Sequence, residues 1–79
     1  KESKTEIYDR IQNCVSFLHS KYIYHCDIHE GNIMVELKPI IKVRLIDFGN
    51  TIISESENKF YLNQNLYYMN SIRNRLHLD

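Results

Sequence analysis

Two apolar stripes flank a middle section in which the period of the pattern changes. Near the start, Ile7, Ile11, Cys14, Val15 and Leu18 recur at helical intervals, as on one face of an amphipathic helix. Ser3 to Glu6 has the spacing of a capping box, and the pattern predicts a helix over about residues 4–21. "KYIYH" (21–25) is too short for a helix and rich in aromatic and β-branched residues, which predicts a very short strand. "NIMVEL" (32–37) and "KVRLI" (42–46) are two further strand candidates, and Pro39 in the intervening "KPII" suits a turn. Together they predict a hairpin, with "DFGN" emerging from its second strand. "SESEN" (54–58) is polar and loop-like. Leu62, Leu66, Met69, Ile72 and Leu76 form a second stripe and predict a helix over about 63–77. The expected fold class is α+β: a helix, a short hairpin and a C-terminal helix.

Length and charge narrow the function classes. Seventy-nine residues make one small domain or a piece of a larger one. The start at Lys1, without an initiator methionine, predicts a segment of a longer chain. Ten basic and ten acidic side chains give a formal net charge of zero, so no field of one sign draws in nucleic acid or an anionic membrane. No apolar run approaches the roughly 20 residues that span a bilayer, and no signal segment opens the chain. Cys14 and Cys26 do not make a disulfide framework; two reduced thiols in an intracellular, cytoplasmic protein are the expectation.

"HCDIHEGNIMV" (25–35) crowds polar and metal-capable side chains directly before a strand. His25, Cys26 and His29, with Cys14 or His19, are ligand types that suit zinc. A structural zinc site, however, draws on two separated clusters, and residues 51–75 hold neither Cys nor His. A different set spans the hairpin: Asp27 and Asn32 before it, Asp47 after it. A hairpin returns the chain to its starting point, so these three are expected to converge. Two carboxylates and a carboxamide at one edge suit phosphoryl transfer, which needs magnesium on the phosphates and a base for the acceptor hydroxyl. Gly49 is expected to provide a backbone conformation that other residues resist. Elsewhere the simpler expectations hold: His19 exposed near a helix end, Tyr61, Tyr67 and Tyr68 half-buried, and Arg73 and Arg75 on a solvated face.

The stretch resembles the catalytic loop of the protein kinase superfamily, and "LIDFG" (45–49) resembles its Asp-Phe-Gly element. The helix and "FLHSKYIYHCDIH" (17–29) resemble the family's helix-to-loop junction. The resemblance implies a partial kinase-like domain over residues 1–79, carrying the catalytic part of a C-terminal lobe. It implies ATP and Mg2+ as cofactors, Asp27 as the catalytic base, and Asn32 and Asp47 as metal ligands. Gly49 stands beside Asp47 in the nucleotide site, and His25 is the loop's structural histidine. His29 joins Asp27 and Asn32 in the catalytic set, near the transferred phosphate.

The departures sharpen the expectation. Cys26 stands where the family's arginine typically pairs with an activation-loop phosphate, and a neutral thiol makes no such contact. The Asp-x-His-x-Gly-Asn pattern of Asp27 to Asn32 is similar to haspin-like kinases and to aminoglycoside phosphotransferases. No Ala-Pro-Glu element follows, and the 79 residues contain no Gly-rich loop and no paired lysine of an N-terminal lobe. The implied parent activity is ATP-dependent phosphoryl transfer to a Ser or Thr hydroxyl of a protein. The alternatives are a small-molecule kinase of the aminoglycoside or choline type, and a non-catalytic, kinase-derived binding module. The isolated chain is expected to be inactive.

Overall fold

A computed structural model describes residues 2–76. The order is helix α1 (Glu2–Ser20), strand β1 (Ile23–Tyr24), hairpin strands β2 (Ile33–Glu36) and β3 (Lys42–Leu45), strand β4 (Ile52–Ile53) and helix α2 (Lys59–Arg75). One-turn 3-10 segments at Glu30–Asn32 and Phe48–Asn50 precede β2 and β4. The fold is α+β, with two antiparallel two-stranded sheets, β1–β4 and β2–β3.

The α1 stripe packs inward. Ile11 and Val15 are buried, and Ile7, Cys14 and Leu18 are half-buried. Helix α1 is already under way at Glu2, so Ser3 lies inside the first turn and does not cap it. At the other end Lys21 N–H and Tyr22 N–H donate to Leu18 O and His19 O, and Tyr22 turns the chain with φ 59°. In the hairpin Ile33 faces Leu45 and Glu36 faces Lys42. Strand β3 alternates, with Val43 and Leu45 toward the core and Lys42 and Arg44 outward, as the period of a half-buried strand requires.

Helix α2 begins four residues before its predicted start. Asn58 caps it, its side chain accepting from Tyr61 N–H at 3.2 Å. Asn58 N–H in turn donates to the hydroxyl of buried Tyr24 at 2.9 Å. The helix ends at Arg75; position 77, the predicted end, lies outside the described residues. Its inward face also differs from the predicted stripe. Met69 and Ile72 are buried, but Leu66 is 57% exposed and Asn65 is fully buried. Asn65 Nδ2 donates to Tyr61 O at 2.8 Å, satisfying part of the amide within the helix. Ile11, Val15, Ile28, Met69 and Ile72 form the core between the two helices and the loop after β1.

Candidate functional site

Ile28 anchors the loop after β1. It is buried among Ile11, Val15, Met69 and Ile72, so its neighbours Asp27 and His29 are held at the surface of the core. His25 is 1% exposed. Its Nδ1 accepts from Asp27 N–H at 3.2 Å, which leaves the proton on Nε2, and Nε2 donates to Ile46 O at 2.8 Å. The ring also meets the edge of Phe48, with centroids 4.7 Å apart. One imidazole thus fastens the loop before the hairpin to the segment after it.

Asn32 sits at the end of the first 3-10 turn and is buried. Its Nδ2 donates to Asp27 O at 3.0 Å and to Asp27 Oδ2 at 3.1 Å. Both partners are acceptors, so the amide nitrogen must face them, and Oδ1 is the atom left for another partner. His29 caps the same turn: its Nδ1 accepts from Gly31 N–H at 3.0 Å. The other ring nitrogen lies 3.5 Å from Asp27 Oδ1 and 3.2 Å from Asn32 Nδ2. A Cβ on Gly31 would lie 2.9 Å from His29 Cε1, so Gly31 leaves the space that the ring occupies.

Asp47 is joined to this cluster through the backbone. Ile46 N–H donates to Asn32 O at 2.9 Å, which sets the start of the post-hairpin segment against the end of the loop. Asp47 then takes the left-handed conformation (φ 59°, ψ 73°), and its carboxylate accepts from Gly49 N–H at 3.3 Å. The special backbone expected at Gly49 therefore belongs to Asp47, since neither glycine has positive φ. Aspartate tolerates this region better than most residues. Gly49 instead provides room, because a Cβ there would come within 3.2 Å of Asp47 Oδ1. Asp27, His29 and Asn32 are in direct side-chain contact, whereas Asp47 is tied to them only through the backbone bond of its neighbour Ile46 to Asn32.

The chain belongs with a known family on its sequence. The model of the protein kinase domain matches residues 1–71. This is a protein kinase family chain. No curated protein matches it. Phosphoryl transfer is the chemistry of that family, and the kinase match takes in both "HCDIHEGN" (25–32) and "DFG" (47–49). Among the described residues no group of three or more His, Cys, Asp or Glu is placed to hold a metal ion. A zinc cluster built on His25, Cys26 and His29 therefore has no support, and His25 already spends both ring nitrogens on the backbone. No described helix is long and apolar enough to cross a membrane.

Several features of this kinase chain were not visible in the pattern. Arg73 and Arg75 are exposed as expected, but Arg75 also pairs with Glu30 of the loop, and the Arg73 guanidinium lies 5.9 Å from the Tyr8 ring centroid. His19 is half-buried against Tyr24, with centroids 5.2 Å apart, and burial pulls its pKa down. Tyr67, expected to be half-buried, is 72% exposed, while Tyr61 and Tyr68 are half-buried. Cys26 has φ 70°, and its thiol donates to Tyr24 O at 3.3 Å. Burial raises that thiol's pKa, partly offset by a backbone hydrogen bond from Ile52.

Proposed function

We propose that this chain is the catalytic segment of a kinase that transfers phosphate from ATP to a Ser or Thr hydroxyl of a protein. The observation that carries the proposal is the Asp27–Asn32 pair. Asn32 Nδ2 fixes one oxygen of the Asp27 carboxylate at 3.1 Å and keeps its own Oδ1 free of that contact. A single side chain thereby orients a base and offers a hard oxygen to a cation.

The donor set fits magnesium. Asn32 Oδ1 and the Asp47 carboxylate would be its oxygen ligands, and magnesium characteristically takes only one or two protein carboxylates with waters and phosphates. Bound there, magnesium would neutralise charge on the phosphates of ATP. The remaining work falls to the chain's own residues. Asp27 accepts the proton of the acceptor hydroxyl as its oxygen bonds to the γ-phosphorus and the bond to ADP breaks. Asn32 restrains Asp27. His25 keeps the loop and the Asp47 segment in register.

The segment's outer surface supports a place within a larger kinase domain. Met34, Leu37 and Ile40 of the hairpin are each 58% exposed, and Ile53 is 77% exposed. Exposed apolar side chains on both sheets are what a segment that packs on the rest of a larger domain would carry. A second reading, transfer to a small-molecule hydroxyl, rests on the Asp-x-His-x-Gly-Asn pattern of Asp27 to Asn32, which aminoglycoside phosphotransferases share with haspin-like kinases. The test is transfer of labelled phosphate from ATP by the full polypeptide, offered Ser/Thr peptides in one arm and aminoglycosides or choline-like alcohols in the other. Labelling of peptides supports the protein kinase. Labelling of the alcohols alone supports the second reading, and labelling of neither contradicts both.

A further inference from the structure

The contacts around His29 cannot all be hydrogen bonds. Its Nδ1 accepts from Gly31 N–H, so that nitrogen carries no proton. A ring with one unprotonated nitrogen carries its proton on the other, Nε2. Nε2–H then faces Asp27 Oδ1 at 3.5 Å and Asn32 Nδ2 at 3.2 Å. Asn32 Nδ2 is itself a donor, held by two acceptors of Asp27. Two donors cannot bond each other. The Nε2 proton has one acceptor of the pair available, the Asp27 carboxylate.

We infer that His29 is a positioning residue for Asp27, donating from Nε2 to Oδ1 while Asn32 donates to Oδ2. The carboxylate is then gripped at both oxygens, so it cannot rotate. It keeps the unused lone-pair sites of its two oxygens for an incoming proton. Gly31 belongs to the same device. Its N–H sets the ring's tautomer, and its missing Cβ leaves the ring's place open, since a methyl there would stand 2.9 Å from Cε1. His25 repeats the arrangement on the other side of Asp27. It too accepts a backbone N–H two residues ahead on Nδ1 and directs Nε2–H to an oxygen, that of Ile46. The 3.5 Å separation is long for a hydrogen bond, as catalytic contacts often are before substrate arrives.

The inference rests on Asp27 acting as the base, and two independent arms separate its failure from failure of that role. The first needs no activity. Long-range proton–nitrogen NMR on the chain with labelled histidine reports which ring nitrogen of His29 bears the proton. Nε2–H is expected, with its resonance displaced by Asp27→Asn; an Nδ1–H ring, or one indifferent to Asp27→Asn, overturns the inference. The second arm measures turnover in the full polypeptide. Removal of an outer-shell partner of a site typically costs about 10–100-fold in activity, and that loss is expected in kcat for His29→Ala, with KM for ATP little changed. His29→Gln, which returns a donor to the Nε2 position, recovers most of the loss. His29→Asn, which returns only an acceptor near Nδ1, does not. Gly31→Ala lowers kcat in the wild-type background and adds little to His29→Ala, because the two share one role. Equal recovery by Asn and Gln, or a fully additive Gly31→Ala, contradicts the positioning role. A wild-type polypeptide without turnover contradicts the proposed function, and the NMR arm alone then decides the hydrogen bond.

Discussion

His25 Nε2 donates to the carbonyl of Ile46 at 2.8 Å, across 21 residues of sequence. Its Nδ1 holds the N–H of Asp27 at the same time. The side chain is 1% exposed, so both bonds are made away from bulk solvent. A buried polar group left without a partner costs about 1–3 kcal/mol. His25→Ala, which strands both Asp27 N–H and Ile46 O, is therefore expected to destabilise the fold by about 2–5 kcal/mol. His25→Gln, which keeps one donor, loses less. Urea unfolding of the two variants and the wild type checks the order; equal stability of all three contradicts the tie.

The junction of Tyr24 and Asn58 makes a second stability prediction. Tyr24 Oη accepts from Asn58 N–H, and the Asn58 side chain caps α2 through Tyr61 N–H. Loss of an N-cap side chain costs about 0.5–2 kcal/mol, the expected effect of Asn58→Ala. Tyr24→Phe removes the acceptor at the same junction, and about 1 kcal/mol is expected. The two residues share the junction, so the double variant should fall short of the sum. Thermal unfolding of the four proteins measures the coupling.

His19 predicts how stability responds to acid. Burial lowers its pKa in the folded chain, so the unfolded chain binds its proton more readily. Stability therefore falls as pH drops below the ordinary histidine value of 6.5 and stops falling, for this residue, below the lowered folded value. Well above 6.5 the ring is neutral in both states and contributes no pH dependence. His19→Gln should lose less stability than the wild type between about pH 7.5 and about pH 5.5. Parallel slopes in denaturant titrations across that range count against the assignment.

Cys26 is expected to be dispensable for chemistry. Its thiol bonds to a backbone carbonyl, and its raised pKa keeps it protonated and poorly nucleophilic at neutral pH. Alkylation at neutral pH should be slower than for a free thiol. Cys26→Ala should leave turnover of the full polypeptide within about three-fold of wild type, well short of the loss from removing a general base. Copurified zinc lost with Cys26→Ala would reverse this assignment.

Much of this architecture could be read from the chain because it follows short-range periodicity. The stripe from Ile7 to Leu18 gave α1, and the alternation in "KVRLI" gave β3 with its inward Val43 and Leu45. The missed features depend on distant partners. Strand β4 is two residues long and exists by pairing with β1, some 30 residues earlier, and nothing local marks it. Asn65 is buried where Leu66 was expected; its Nδ2 bonds to Tyr61 O within the helix, while its Oδ1 is buried without a protein partner, so nothing in the local pattern accounts for the exchange. The start of α2 did leave a local signal in Asn58, a favoured cap residue at the end of a polar loop. At the candidate site, the residue types and their spacing were evident in "HCDIHEGN" and "DFG". The ring assignments of His25 and His29 depend on atoms brought together by folding, and the special backbone conformation expected at Gly49 is taken by Asp47.

Isolated residues 1–79 should show negligible turnover, since positioning supplies most of the catalysis in phosphoryl transfer. ATP consumption by the purified chain, abolished by Asp27→Ala, would contradict a role that depends on a larger domain.

The central claim is that Asp27 is the base of a phosphoryl-transfer site completed by Asn32 and Asp47. The most direct test is single-turnover transfer from ATP by the full polypeptide, wild type against Asp27→Asn, with Asp47→Asn as the metal-ligand comparison. Asp27→Asn should reduce the transfer rate by about 10²–10⁴-fold at unchanged nucleotide affinity. Asp47→Asn should instead weaken binding of the magnesium nucleotide, since it removes charge from a metal ligand. Wild-type transfer rates in Asp27→Asn would contradict the assignment outright.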